Sequence, residues 1–300
     1  MALTVTPLTP SFGARVTGFD LRADATAALT DEIRQLWHRY KLLVFPGQGD
    51  ATARDLVGFS RCFGELEIHV REEFLSPDNP ELLYVSNIIR DGRPIGILST
   101  NEVGWHYDQI YLERPAVGSL LQAVQIPPAD GATSFADMVA AYETLPAATR
   151  AKIDGRSAVQ SYDSFNAAYS VPTNDKQKRR TPDREHPLVR THPYTGERAL
   201  YICPGMTTRI VGMEQTASDE LLAELFEWSV REEFVYSHQW RLGDCVMWDN
   251  AATMHRREPF DPAYDRLMKR TTILPAADRA VPFYQPDAAP VREPAIRRSA

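Results

Sequence analysis

"EVGWHYDQIYLE", residues 102–113, sets a histidine and an aspartate two positions apart among residues that favour strands. In an extended chain, residues i and i+2 point to the same face. His106 and Asp108 therefore converge on that reading, and an imidazole beside a carboxylate is the beginning of a metal site. An HxD pair is a weak signal by itself, since chance produces many. Another ligand has to come from elsewhere, and the fold has to carry it there.

Working outward, the periodicity alternates between helices and short strands. The N-terminus reads as short strands with turns at Gly13 and Gly18. "LTDEIRQLWHRYK" (29–41) places Ile33, Leu36, Trp37 and Tyr40 at helical spacing, with Thr30 as its expected N-cap. The buried strand "LLVF" follows and closes at Pro46-Gly47. Further helices are expected near 52–63, over "FADMVAAYETLP" (135–146) and near 217–229. Strands are expected at 119–126, 199–202, 245–249 and 267–274, separated by turn pairs such as Asp130-Gly131 and Gly243-Asp244. These strands are irregularly spaced, and helices do not alternate with them. That disfavours a doubly wound sheet and favours a mainly β fold, an antiparallel barrel or jelly roll carrying a few helices. Residues 162–185 are polar, with a charge run from Lys176 to Arg180. They read as a solvated surface loop or as a lid over a site. The tail 276–300, with Pro282, Pro286, Pro290 and Pro294, lacks periodicity and reads as irregular.

The charge balance narrows the function. A net charge of −7 over 300 residues argues against a general nucleic-acid binder, though not against a local basic pocket. Cys62, Cys203 and Cys245 form no CxxC pair, so neither a zinc ribbon nor a disulfide framework is expected. No signal-peptide pattern is visible, and no apolar run approaches the roughly 18–20 residues that span a membrane. The expected compartment is the cytoplasm.

Of the seven histidines, His38 lies beside a helical apolar stripe, His186 and His192 look like strand ends, and His238 sits in a polar turn. His255 differs. It follows "DCVMWDNAATM", a buried-looking strand that breaks at Asp249-Asn250. A histidine just past a core strand sits where a barrel mouth presents ligands. Two histidines and one carboxylate are the ligand set of non-haem Fe(II) oxygenases, which leaves positions open for a co-substrate and dioxygen. Beyond His255, "RREPFDPAYDRLMKRTTIL" sets Arg266, Met268 and Arg270 on one face of a strand. Arginines turned inward require anions to meet them.

This combination resembles the taurine dioxygenase/2,4-dichlorophenoxyacetate dioxygenase family of Fe(II)/2-oxoglutarate-dependent oxygenases. "FGARVTGFDL", "LLVFPGQ", "FSRCFGELE", the stretch from Trp105 to Leu145, "EHPLVRTHPYTGERALYI" and "WRLGDCVMWDNAATMHR" are all similar to it, spanning residues 5 to 275. The resemblance implies a double-stranded β-helix, a cupin-like jelly roll flanked by helices, in one domain over 1–275, and a homo-oligomer, dimer or tetramer. It implies that His106, Asp108 and His255 bind Fe(II). Thr133, in "GATSF", and Arg266 would hold the distal carboxylate of 2-oxoglutarate. Arg270 would face the substrate anion or share the inner carboxylate of the co-substrate. His69, in "LEIHV", would contact the substrate's acidic group. The implied reaction consumes O2 and 2-oxoglutarate and hydroxylates a C–H bond of a small anionic substrate, with succinate and CO2 as co-products.

Sulfonates, sulfate esters and aryloxyalkanoates fit that substrate description. Residues 70–104 are longer than in the taurine enzyme and show no obvious counterpart of its substrate-binding tyrosine and asparagine, so taurine itself is not implied. Asp108 stands where a related halogenase keeps a small residue for chloride. The alternatives are a biosynthetic hydroxylase of an amino-acid derivative on the same fold and a non-catalytic metal-binding jelly roll. The second has no use for Thr133 and Arg266.

Overall fold

Strand Cys245–Asp249 is buried at every position. Side chains alternate along a strand, so Val246 and Trp248 turn to one side and Cys245 and Met247 to the other. Such a strand needs cover on both faces. It lies at the centre of a seven-stranded sheet whose order is Thr4–Pro7, Ala14–Thr17, Leu42–Phe45, Cys245–Asp249, Gly118–Gln125, Leu267–Ile273, Leu83–Ser86. Neighbours are antiparallel except Ala14–Thr17 beside Leu42–Phe45. Helices Ala27–Tyr40 and Ala53–Arg61 cover the outer face, setting Ile33, Trp37, Leu56 and Phe59 against Leu43, Phe45, Leu120 and Met247. Trp37 packs so closely over Gly118 that a Cβ there would lie 2.3 Å from the indole.

The inner face looks at a second, four-stranded antiparallel sheet, ordered Val235–His238, Thr133–Asp137, Thr253–Arg257, Val103–His106. Phe135 of this sheet joins Leu121, Val246, Trp248 and Met268 of the first in one apolar cluster. Its outer face is covered by helices Met138–Glu143 and Gln215–Ser229, with Tyr142, Leu222 and Leu225 packed in the cluster that holds Met254. The fold is mainly β, with helices on the outside. The structure, a computed structural model, describes residues 2–23, 25–97, 100–167 and 173–279. Among the described residues no helix is long and apolar enough to cross a membrane.

Several local expectations shift. The first long helix is capped by Thr26, whose side chain accepts from Leu29 N–H, and Thr30 lies inside it, buried. Over 135–146, Phe135 to Asp137 belong to a strand, and the helix begins at Met138. Pairing on both sides holds that strand, to Val235–His238 and Thr253–Arg257. Asp137 then ends it by accepting from Val139 and Ala140 N–H as the helix N-cap. Residues 162–185 are not plain loop: they contain helices Tyr162–Asn166 and Asp175–Arg180 and the start of strand Arg184–Pro187. Residues 168–172 of the expected lid lie outside the described residues, as do Pro282, Pro286, Pro290 and Pro294 of the tail. His238 is no surface turn residue. It ends a strand, buried, 3.0 Å from Asp244.

One buried ion pair links the layers. Lys41 closes the first helix in the left-handed region (φ 61°), and its Nζ lies 3.0 Å from Asp137 Oδ2. The Lys41 carbonyl accepts from Asp249 N–H. Both charges are nearly out of water, with side chains 11% and 3% exposed. Removing one partner of such a pair strands the other charge. We expect Asp137→Ala to lose about 3–5 kcal/mol of stability, measured by urea unfolding. A loss below about 1 kcal/mol, the range of exposed pairs, would contradict this account of the junction.

Candidate metal centre and binding pocket

The cluster is assembled from two strands and a turn. Strand Val103–His106 ends at His106, and Asp108 lies in the turn beyond it, not in the strand as the HxD spacing suggests. Asn250 holds Asp108 there. Its side chain accepts from Asp108 N–H (3.0 Å) and donates to Asp108 C=O (2.6 Å). His255 is likewise not past a strand but in the middle of Thr253–Arg257, directly across from His106. Alternation turns His255 inward, against Trp248 and Phe135, while Met254 turns outward. One ligand atom from each of His106, Asp108 and His255 lies within 4.8 Å of the others.

The electrostatics suit a divalent cation. His106 Nδ1 is 2.8 Å from the Gly104 carbonyl. A carbonyl only accepts, so Nδ1 carries the proton and Nε2 keeps its lone pair. Burial pushes both imidazoles below the ordinary histidine range and keeps them neutral. Burial acts to raise the Asp108 carboxyl, but the Arg270 guanidinium, with the Ser119 hydroxyl, holds it below its usual range. Two neutral imidazoles and one carboxylate make a donor set that fits a first-row metal with open positions.

These residues open into a cavity of about 120 Å³ that also takes in His69, Thr133, Arg266 and Arg270. All seven residues expected at the site are therefore brought together. Arg270 sits on Asp108, with Nη1 2.6 Å from Oδ1. Arg266 precedes strand Leu267–Ile273 and is not part of it, since its N–H bonds the Asn87 side chain and the register shifts between Leu267 and Met268. Arg266 is 2% exposed, and its guanidinium donates to the Gly131 carbonyl and lies beside the Trp240 and Phe260 rings. Among the described residues no carboxylate pairs with it. Burial, with Arg257 nearby, pushes its pKa down to about 9. Gly131 has φ +68°, and a Cβ there would lie 2.6 Å from Arg266 Nη1, so glycine serves both the turn and the close approach. Thr133 Oγ1 accepts from Trp240 Nε1, which leaves its own O–H to donate into the cavity.

Sequence reasoning missed Arg257, Asn166 and the aromatic wall of Tyr111, Tyr162 and Phe165. Arg257 had a signal, since it shares the inward face with His255 two residues earlier. Asn250 and Asn166 had none, because each acts on a residue far away in the chain.

Fold and cluster together define a mainly β protein carrying the two-histidine, one-carboxylate ligand set. The family described as "Taurine catabolism dioxygenase TauD, TfdA family" matches residues 4–272, and the chain belongs to it. It is 33% identical to pentalenolactone F synthase of Streptomyces avermitilis, over 93% of this chain and 96% of that one. It is 34% identical to the alpha-ketoglutarate-dependent 2,4-dichlorophenoxyacetate dioxygenase of Cupriavidus pinatubonensis, over 91% and 98%. Among solved structures, AAD-2 in complex with Mn(II) and N-oxalylglycine aligns with a TM-score of 0.78 at 32% identity, covering 91% of this chain and 98% of that one.

The Asn250 clamp yields a measurable expectation. Asn250→Ala leaves both Asp108 peptide groups unpaired in a buried place. Mn(II) affinity should fall ~10–100-fold, read by paramagnetic resonance titration, with a stability loss of ~1–3 kcal/mol. Parental affinity in that variant would show that the clamp does not position Asp108.

Proposed function

We propose that the chain is an Fe(II)- and 2-oxoglutarate-dependent dioxygenase that hydroxylates a C–H bond of a small anionic organic substrate. One observation carries this reading: the His106, Asp108 and His255 cluster opens into the same cavity as Arg266, a buried cation that no carboxylate among the described residues pairs. A metal-binding scaffold has no need of that second feature. The facing seven- and four-stranded sheets support a double-stranded β-helix, as one dioxygenase unit over residues 1–275, with 162–185 as its lid.

In this reading His106 Nε2, Asp108 and His255 hold Fe(II). The bound metal, with 2-oxoglutarate and O2, supplies oxidative decarboxylation to succinate and CO2 coupled to transfer of one oxygen atom to the substrate. Arg266 and the Thr133 hydroxyl clamp the distal carboxylate of 2-oxoglutarate, where a guanidinium fork suits a planar anion. Arg270 steadies Asp108 and presents the rest of its guanidinium to the inner carboxylate or to the substrate. His69, kept neutral because burial pushes its pKa down to about 3, offers a ring N–H to the substrate's acidic group. The Phe165 ring packs at a tilt against His106, with ring centroids 5.3 Å apart, and helps keep water from the reacting position. The substrate is a sulfonate, a sulfate ester or an aryloxyalkanoate.

The reading is tested by following O2 uptake and succinate release across such acids and their neutral analogues. Succinate should form in an iron-dependent way and faster with an acid than with its neutral analogue; equal rates would remove the anion requirement. Two substitutions separate the roles. Asp108→Ala should abolish iron-dependent turnover, and retained activity would refute the ligand assignment. Arg266→Ala should weaken 2-oxoglutarate binding by about 2–5 kcal/mol, whichever acid is used; an unchanged affinity would refute its role.

A further inference from the structure

Arg71 is 1% exposed, yet it does not reach into the cavity as a charge looking for an anion. Its Nε is 2.7 Å from Glu73 Oε1, and Glu73 is held in turn by Gln177 Nε2 at 3.1 Å. The guanidinium also lies against the Tyr162 hydroxyl. Two of its other contacts act on cavity residues. Arg71 N–H donates to His69 Nδ1 (3.1 Å), and Arg71 Nη1 donates to Asn166 Oδ1 (3.3 Å).

Both contacts have a forced polarity. A backbone N–H can only donate, so His69 Nδ1 is the acceptor and the ring proton of the neutral imidazole sits on Nε2. A guanidinium can only donate, so the Asn166 carbonyl faces Arg71 and the amide NH2 faces the other way. Asn166 is 3% exposed and lines the cavity, and among the described residues its NH2 group has no hydrogen-bond partner. The neighbouring Phe165 ring packs at a tilt against His106, so the short helix Tyr162–Asn166 carries this amide close to the candidate metal centre.

We propose that Asn166 is a substrate-binding residue that donates from its amide NH2 to an oxyanion, alongside His69, and that Arg71 is the positioning residue orienting both donors. The inference rests on the dioxygenase reading and refines its substrate class. The pair lines one cavity and supplies neutral donors and no acceptor, which suits a group with two or more acceptor oxygens: a carboxylate, sulfonate or sulfate. A protonated amine or a hydroxyl donor finds no partner in this pair.

Asn166→Asp is the decisive variant. It is nearly isosteric and keeps the contact to Arg71, so the fold is retained, but it replaces a donor with an anion. Affinities for phenoxyacetate and for hexyl sulfate are measured by calorimetry on the anaerobic Fe(II), 2-oxoglutarate-loaded chain. At least one acid should bind the parent, and Asn166→Asp should weaken it roughly tenfold or more, while 2-oxoglutarate affinity moves less than about twofold. Arg71→Met should weaken the acid as well, Arg71→Lys should restore part of the loss, and Arg71→Met should add little on top of Asn166→Ala. The proposal is overturned if Asn166→Asp binds the acids as the parent does, if 2-oxoglutarate affinity falls equally, if the Arg71 and Asn166 effects simply add, or if neither acid binds a parent that binds 2-oxoglutarate. Failure of the parent to bind 2-oxoglutarate at all would overturn the dioxygenase reading instead.

Discussion

Positive charge buried between two sheets is the constraint around which this molecule is organised. Arg266 and Arg270 both reach the space between the sheets, and Asp108 is the carboxylate that meets Arg270 there. A desolvated guanidinium is tolerated only when anions or oriented carbonyls face it. Arg266 has the Gly131 carbonyl and two aromatic faces, which lessen its isolation without neutralising it. The cavity is thus electrostatically incomplete in a defined place.

That incompleteness is sustained by residues that hold the polar groups in one orientation. Gly104 sets the tautomer of His106, Ser119 and Arg270 occupy separate oxygens of Asp108, and Asn250 grips the Asp108 peptide from both sides. Trp240 uses up one role of the Thr133 hydroxyl and leaves the other. Arg71 acts in the same way on His69 and Asn166. At His106, Thr133, His69 and Asn166 a group with a single hydrogen-bonding role forces the choice on a group that has two.

Away from the cavity, buried contacts to carboxylates serve the framework. Lys41 with Asp137 ties the first helix to the smaller sheet, and His192 Nε2 lies 2.8 Å from Asp249 at the end of the central strand. His192 Nδ1 accepts from the N–H groups of Tyr194 and Thr195, which fixes the hairpin turn beside it. These pairs are satisfied within the fold, and that separates them from Arg266. Burial of a charged side chain is therefore not in itself a mark of function here.

The sequence by itself determined what depends on neighbours close along the chain. The apolar spacing of Leu221, Leu222 and Leu225 marked their helix, and the unbroken run around Val246 marked the central strand. The short interval between His106 and Asp108 pointed to the ligands, although the strand it assumed stops at His106. Periodicity did not reveal that Phe135 to Asp137 belong to a strand, because pairing to two other strands overrides their helical pattern. Only the tertiary structure decided the contacts that orient the site: Arg71 with Asn166 is 95 residues apart, Asn250 with Asp108 142, and Arg270 with Asp108 162. Local spacing carries no record of such pairs, since they exist only once two sheets and a short helix have packed around the same buried space.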